Sequence, residues 1–355
     1  MLNLFMSNSP IHVAIPPQDL DLSWRPEDPA LSEQLFRSML AELNDPLGDG
    51  AFRVELLTQI ARAEAAQGKH AEALTLLESA AKLLGEKTSG VPIRAQIRLL
   101  LEEGRVFTLQ RTPAQARTRF SKAWELAVGT GEDFFVVEIA RAMAEIEPLK
   151  MQEVWIRKAI EVANESKIEK ARLWLGVLYE DLGWRLFDLR QFEASLAAHR
   201  SSLDSHQARE SQEGILRAKW AVGRLLRQLR RVTEALAWNE ALLLETSGKG
   251  HLYGRLCEEV AECLLNLKGP EAAQPLFARA FLFFHNTSRS PVTAVHLHDG
   301  PRLLRAFDNL ALFGDHVTGV TQANTFNLKK PVELNYGLGI SVSVSFPRDT
   351  GEKPP

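Results

Sequence analysis

The sequence of 355 residues lacks several features that identify particular classes of protein. It has two cysteines, Cys257 and Cys263, which fall on different faces of one predicted helix, so we expect no disulfide between them. No apolar run approaches the ~18 residues of a membrane-spanning helix. Asn, Ser and Pro interrupt the apolar residues near the N-terminus, and no basic residue precedes them, so we expect no secretory leader. These absences favour a cytoplasmic protein that does not enter a membrane.

An excess of charge of either sign is also absent. The 42 basic residues are balanced by 45 acidic residues, which gives a formal net charge of -3. The whole chain is therefore not expected to attract nucleic acid or an anionic membrane. With 45% hydrophobic and 25% charged residues, the composition is that of an ordinary folded protein. An electrostatic function would have to come from a local cluster of charges.

Motifs that carry catalysis or bind cofactors are missing. We find no glycine-rich phosphate loop, no HExxH helix, no dinucleotide-binding fingerprint and no nucleophile elbow. His296, His298 and Asp299 are a weak set of metal ligands, because no third His or Cys is placed near them. We therefore expect no enzyme, no metal and no cofactor.

What the sequence does contain is one pattern repeated. Residues 173–203 and again residues 215–244 read as an amphipathic helix, a short break and a second amphipathic helix. Such a pair cannot bury its apolar face alone and must stack on further pairs. The sequence therefore predicts an all-α fold, an α-solenoid of stacked helical hairpins.

A small residue marks each predicted first helix at the point where the second helix is expected to pack closely. These residues recur at intervals near 40 positions: Ala61, Gly104, Ala140, Gly183, Gly223 and Ala261. Six hairpins are therefore expected over residues 52–287.

The pattern resembles the tetratricopeptide repeat, in which a Leu-Gly pair and aromatic residues are spaced across the first helix and small residues across the second. The matching residues are Tyr179, Leu182, Gly183, Leu186, Phe192 and Ser195, and then Val222, Gly223, Leu226, Val232 and Ala235. The resemblance implies a right-handed solenoid, in a longer-helix variant with about six degenerate repeats. It also implies that first helices build an inner wall that holds extended peptides.

The segments around the array have a different character. We expect an extended or disordered leader at 1–29, an N-terminal capping helix at 30–51, and at 288–355 a further helix, Arg302 to Phe313, followed by an irregular tail. A period-two pattern predicts a β-strand in that tail, formed by Leu338, Ile340, Val342, Val344 and Phe346. Its partner is open: it pairs with residues 317–326, folds on binding, or stays disordered.

Arginine is concentrated at positions that the resemblance assigns to the inner wall. The candidate peptide-binding residues are Arg62, Arg98, Arg105, Arg141, Trp184, Arg217, Trp220, Arg224 and Arg227. Residues 217–231 contain six basic residues and no acid. Because a guanidinium group binds carboxylates through paired hydrogen bonds and stacks on aromatic rings, this set predicts a basic concave groove for an acidic or C-terminal peptide. The alternative is an ordinary solvated helix face. We expect reversal of Arg105, Arg141 and Arg224 to Glu to abolish peptide capture without changing the melting temperature.

Three functions follow from this reading. The leading one is a non-catalytic interaction scaffold or adaptor that binds an acidic peptide or a partner subunit. An RNA-binding helical repeat is the alternative, which the near-neutral charge and the lack of aromatic residues spread along the groove disfavour. A peptide-sensing regulatory subunit is the third, although the first 50 residues contain too little for a helix-turn-helix domain. Self-association through the solenoid ends also remains open.

Overall fold

The structure is a computed structural model. It describes residues 20–43, 50–85, 93–246, 250, 252–288, 332–335 and 341–344. The predicted helix from Arg302 to Phe313 and the His296–Asp299 cluster lie outside the described residues. The elements are a 3-10 turn at Leu20–Ser23 and then α1 Pro29–Ala41, α2 Gly50–Ala66, α3 His70–Gly85, α4 Ile93–Leu109, α5 Pro113–Ala127, α6 Asp133–Ile146, α7 Leu149–Glu165, α8 Glu169–Arg172, α9 Leu175–Asp188, α10 Phe192–Gln207, α11 Gln212–Gln228, α12 Val232–Glu245, α13 Tyr253–Lys268, α14 Pro270–Ser288, β1 Val332–Asn335 and β2 Ser341–Val344.

The predicted helical hairpins are present. Six of them occur in the part of the chain that the structure describes: α2/α3, α4/α5, α6/α7, α9/α10, α11/α12 and α13/α14. The chain divides into two compact units, Met1–Leu178 (unit 1) and Tyr179–Pro355 (unit 2), with the boundary inside α9. In unit 1 the first helices α2, α4 and α6 contact one another in order, and in unit 2 α11 contacts α13. Each unit is therefore built from stacked hairpins, as the sequence predicts.

The small residues of the first helices occupy the points of closest helix approach. A Cβ built on Gly104 would lie 2.3 Å from Cε1 of Phe120 in α5, and one built on Gly223 would lie 2.2 Å from Oδ1 of Asn239 in α12. Ala61, Ala140 and Ala261 are fully buried. Because protein interiors are close-packed, a larger side chain at these points would push the paired helix away.

The expected extended or disordered leader at 1–29 is described only from residue 20 onward, and this part is folded, whereas residues 1–19 lie outside the described residues. Residues 20–23 form a 3-10 turn, and Leu20 is buried against Phe36 of α1 and Leu56 and Ile60 of α2. The prolines that predict irregular structure leave room for this turn, and Pro29 stands at the start of α1, where no amide hydrogen is needed. The turn is stabilised by long-range contacts, which local sequence patterns do not report.

The C-terminal strand pattern has a partner that the sequence analysis did not identify. β2 pairs with β1 in an antiparallel ladder, with Val332 opposite Val344 and Asn335 opposite Ser341. The alternative partner, residues 317–326, lies outside the described residues. Pairing with a segment close in sequence closes a shorter loop, which costs less entropy.

Candidate functional site

The predicted site residues lie on first helices in both units. We call the side chains of α2, α4 and α6 that carry them the unit-1 face, and those of α9, α11 and α13 the unit-2 face. Arg62, Arg98, Arg105 and Arg141 belong to the unit-1 face, whereas Trp184, Arg217, Trp220, Arg224 and Arg227 belong to the unit-2 face.

Arg105 is held between two carboxylates on the unit-1 face. Its Nη1 donates to Glu102 Oε1 at 2.6 Å, and its Nη2 lies 3.3 Å from Oε1 of Glu138 on the next first helix. Burial by itself lowers the pKa of Arg105, but Glu102 and Glu138 raise it above its ordinary value. Both glutamates are buried, and by pairing with both of them Arg105 joins α4 to α6.

Arg98 does not lie on an open wall as the sequence analysis expected. It is 1% exposed and is covered by the N-terminal segment. Its Nη1 and Nη2 donate to the two carboxylate oxygens of Asp21 at 2.6 and 3.0 Å, and its Nε lies 3.2 Å from Glu55 Oε2. The physical reason for the difference is the 77-residue separation of Arg98 and Asp21, which no local pattern reveals.

The other two arginines of the unit-1 face stack on tryptophans. The guanidinium carbon of Arg62 lies 4.5 Å from the ring centroid of Trp24, and that of Arg141 lies 4.4 Å from the ring centroid of Trp174. Burial lowers the pKa of Arg62, and the nearby charge of Arg105 lowers it further. These are cation–π contacts, which hold the charged groups against apolar surfaces.

On the unit-2 face, the arginines of α11 pair with glutamates of the neighbouring first helices. Arg217, which is 32% exposed, lies 3.3 Å from Glu180 of α9, and its Nη1 donates to Glu213 at 2.7 Å. Arg227 donates from Nε to Glu259 Oε2 of α13 at 2.7 Å, and Arg224 Nη1 lies 3.4 Å from Oε1 of the same carboxylate. Glu259 is fully buried, and both arginines help to neutralise its charge.

Aromatic rings complete the unit-2 face. Trp184 is half-buried and Trp220 is buried, and their ring centroids lie 5.6 Å apart. Arg224 lies over Phe187 at 5.4 Å and over Trp220 at 5.8 Å, and Arg255 lies over Trp220 at 5.4 Å. Arginine and tryptophan together form the type of surface that is enriched at the centres of protein interfaces.

The sequence analysis did not pair the arginines with acidic residues, and these pairs change its conclusion about charge. The six basic residues of 217–231 have no acid within their own segment, but Glu180, Glu213, Glu259 and Glu262 supply carboxylates from elsewhere. Both faces therefore have mixed charge and are not uniformly basic. Glutamates at first-helix positions were the signal that could have revealed this. Because Arg105 and Arg224 each pair with a buried carboxylate, we now expect their reversal to Glu to lower the melting temperature.

The two cysteines noted in the sequence both lie in α13. Cys257 and Cys263 are both free and buried, and burial raises the pKa of the Cys263 thiol to about 12. Within the described ranges, no group of three or more His, Cys, Asp or Glu side chains is arranged to hold a metal ion. None of the helices in the described part of the chain combines the length and the apolar character needed to cross a membrane.

Comparison with solved structures identifies the fold. No protein-family model matches the chain, and no curated protein sequence matches it. The apo form of RapI is similar in structure with a TM-score of 0.63, 11% identity, and coverage of 86% of this chain and 88% of RapI. A signal transduction ATPase from Pyrococcus horikoshii with a tetratricopeptide-repeat sensor gives a TM-score of 0.57 and 11% identity over 71% of this chain and 38% of the ATPase. The chain has the tetratricopeptide-repeat fold.

A further tetratricopeptide-like match is aspartyl phosphate phosphatase F from Bacillus subtilis, with a TM-score of 0.51 and 14% identity over 91% of this chain and 87% of the phosphatase. At these identities the similarity concerns the tetratricopeptide-repeat architecture alone. It agrees with the resemblance seen in the spacing of small and aromatic residues.

Proposed function

We propose that this tetratricopeptide-repeat protein is a non-catalytic interaction scaffold, which binds an acidic peptide segment of a partner protein on its first helices. The observation that carries the proposal is the pair of partly exposed arginines, Arg217 and Arg224, on α11 of the unit-2 face. The guanidinium group of Arg224 lies 5.8 Å from the ring centroid of Trp220, which in turn lies 5.6 Å from that of Trp184. A peptide that alternates acidic and apolar residues matches such a surface.

The glutamate pairs of the arginines are compatible with ligand binding. A guanidinium group has five N–H donors, so the carboxylates of Glu180 and Glu213 do not use the full capacity of Arg217. Glu180 and Glu259 hold the side chains of Arg217 and Arg224 in place, which reduces the entropy lost when a ligand binds. The mixed charge also favours a peptide of moderate acidity over a polyanion, because strong negative charge would meet the neighbouring glutamates.

The test is a titration of the full chain against a fluorescein-labelled peptide of alternating Glu and Leu, with fluorescence anisotropy as the readout. The double variant R217Q/R224Q should bind at least ~10-fold more weakly, since each charge-assisted hydrogen bond contributes about 1.5–3 kcal/mol. The double variant R200Q/R231Q, with the same loss of charge on α10 and before α12, is the control and should bind within about twofold of the wild type.

Two results would contradict the proposal. One is equal binding of the peptide to wild type and R217Q/R224Q, with circular dichroism showing that the variant is folded. The other is tighter binding of a labelled oligouridylate than of the acidic peptide, which would favour the RNA-binding alternative. Lower affinity for both ligands in 300 mM salt would not separate them, so the two are compared at one salt concentration.

A peptide-sensing regulatory role is the second candidate. It is favoured by the similarity to the Pyrococcus horikoshii signal transduction ATPase, which has a tetratricopeptide-repeat sensor. A sensor releases or captures a second protein when its peptide binds, whereas a scaffold does not change its partners. Affinity capture of partners with and without the acidic peptide tests this difference, and an unchanged set of partners would count against the sensor.

A further inference from the structure

The N-terminal segment, residues 20–24, packs on the unit-1 face. Three of its side chains contact other elements: Leu20 is buried in the Phe36 and Leu56 cluster, Asp21 is 8% exposed, and Trp24 stacks under Arg62. Residues 25–28 then turn the chain into α1, with the amide of Arg25 donating to Ser32 Oγ at 2.9 Å and the amide of Asp28 donating to the carbonyl of Arg25 at 3.1 Å.

The carboxylate of Asp21 occupies a built site. Arg98 binds both oxygens, Lys170 of α8 donates to Oδ2, and Nη2 of Arg94 lies 4.0 Å from the same oxygen. Burial by itself raises the pKa of Asp21, but Arg98 and Lys170 lower it far below its ordinary value. Three cations from two elements therefore converge on one carboxylate that comes from a short segment.

The site would be incomplete without that carboxylate. Arg98 would retain Glu55, at 3.2 Å from its Nε, while its two Nη groups would lose the oxygens that they bind. Arg98, Arg94 and Lys170 would then be three neighbouring cations without their shared carboxylate, so the empty site would favour any carboxylate that reaches it. Arg94 is 33% exposed and borders the site, which gives it an opening to solvent.

From this geometry we propose that residues 20–24 are an internal ligand of the unit-1 face, and that the site around Arg98 accepts from a partner protein an acidic segment with the same spacing. That segment has an apolar residue directly before an Asp and an aromatic residue three positions after it. The partner displaces the internal segment when it binds. This inference rests on the proposed function, because it names the class of peptide that one of the two faces binds.

The internal segment has an advantage over any free peptide. Because it is covalently attached, its effective concentration at the site is of the order of millimolar. The wild-type chain is therefore expected to bind an external copy of the segment weakly, and weakening the internal copy should expose the site.

The experiment uses the full chain and a labelled peptide with the sequence of residues 18–28. The full-chain variant D21N/W24A should bind this peptide at least ~10-fold more tightly than the wild type does. A peptide carrying the change Asp21→Asn should not bind, whereas one carrying Glu27→Gln should bind like the parent, since Glu27 is exposed and the change in charge is the same. A full-chain E27Q variant is the matched control for the protein and should behave like the wild type.

Thermal melting of D21N/W24A keeps the test decisive if this variant is unstable. A ligand that binds only the folded state raises the melting temperature, so saturating peptide should raise that of D21N/W24A and leave that of the wild type unchanged. Equal affinity of wild type and variant, or an unstable variant that the peptide does not stabilise, would overturn the inference and leave residues 20–24 as a fixed part of the core. If the Glu-Leu peptide still binds in a way that depends on Arg217 and Arg224, the proposed function survives even when this inference fails. If neither the Glu-Leu peptide nor the peptide of residues 18–28 binds, the proposed function is refuted as well.

Discussion

His199 gives the most quantitative prediction, because a buried imidazole without hydrogen-bond partners couples stability to pH. The ring is fully buried in α10, and neither Nδ1 nor Nε2 has a hydrogen-bond partner among the described residues. It packs against Gly183 and against Trp184, with ring centroids 4.7 Å apart. Burial lowers its pKa from 6.5 to about 4, because the charged form would lose its hydration.

The sign of the pH effect follows from this lowered pKa. Between pH 6.5 and 4 the unfolded chain binds a proton at His199 and the folded chain does not, so the stability from this residue is complete above pH 6.5 and is lost as the pH falls. With these two pKa values, lowering the pH from 7 to 5 costs about 2 kcal/mol in the free energy of unfolding.

The assay is urea unfolding at pH 7 and pH 5, followed by circular dichroism at 222 nm. Substitution H199Q removes the titrating group, so its free energy of unfolding should change by about 2 kcal/mol less between the two pH values than that of the wild type. H70Q, at the start of α3, is the control and should retain the wild-type difference. An H199Q variant with the same pH dependence as the wild type would refute the account of a buried neutral imidazole.

Three further substitutions test the packing, turn geometry and charge pairing. G104A should destabilise the protein by about 1–2 kcal/mol in urea unfolding, because its Cβ would lie 2.3 Å from Phe120 Cε1. G85A is the control and should not destabilise it, because no atom lies within 4 Å of the added Cβ. Equal effects of the two substitutions would contradict the close approach of α4 and α5 at Gly104. R230G should raise the free energy of unfolding by up to ~1 kcal/mol, because Arg230 has a φ of 63°, a left-handed conformation that favours glycine. R200G, inside α10, should lower the free energy of unfolding by about 1 kcal/mol. A destabilised R230G would count against the left-handed turn. R105E should lower the melting temperature strongly, because it adds a third carboxylate beside Glu102 and Glu138 at a cost of about 3 kcal/mol or more. R157E, at an exposed position of α7, is the control and should not lower it. An unchanged melting temperature of R105E would refute the stabilising role of the Arg105 ion pairs.

The hairpins could be predicted from the sequence because their determinants are local. Apolar periodicity defines each helix, and Gly104, Gly183 and Gly223 mark where two helices of one hairpin meet. These positions need no knowledge of distant residues, since each partner lies within about 16 residues along the chain. The pairing of first and second helices within each hairpin could therefore be predicted from the sequence.

The charge pairing could not be predicted in the same way. Whether an arginine faces solvent or a carboxylate depends on the alignment of successive first helices, and the partners are distant in sequence: 35 residues separate Arg224 from Glu259, and 77 separate Arg98 from Asp21. The turns were also hidden, because Arg111, Arg190 and Arg230 adopt positive φ where glycine is the usual signal. The sequence showed where the arginines are concentrated, but not which carboxylates neutralise them.

The central claim is that the first helices hold the peptide, and photo-crosslinking tests it most directly. The Glu-Leu peptide, carrying a benzophenone group at its centre, would be irradiated with the full chain, and the attachment sites would be identified by mass spectrometry. We expect adducts on α9 and α11, near Trp184 and Arg217, which competing unlabelled peptide removes. Adducts concentrated on the second helices α10 and α12 would contradict the claim.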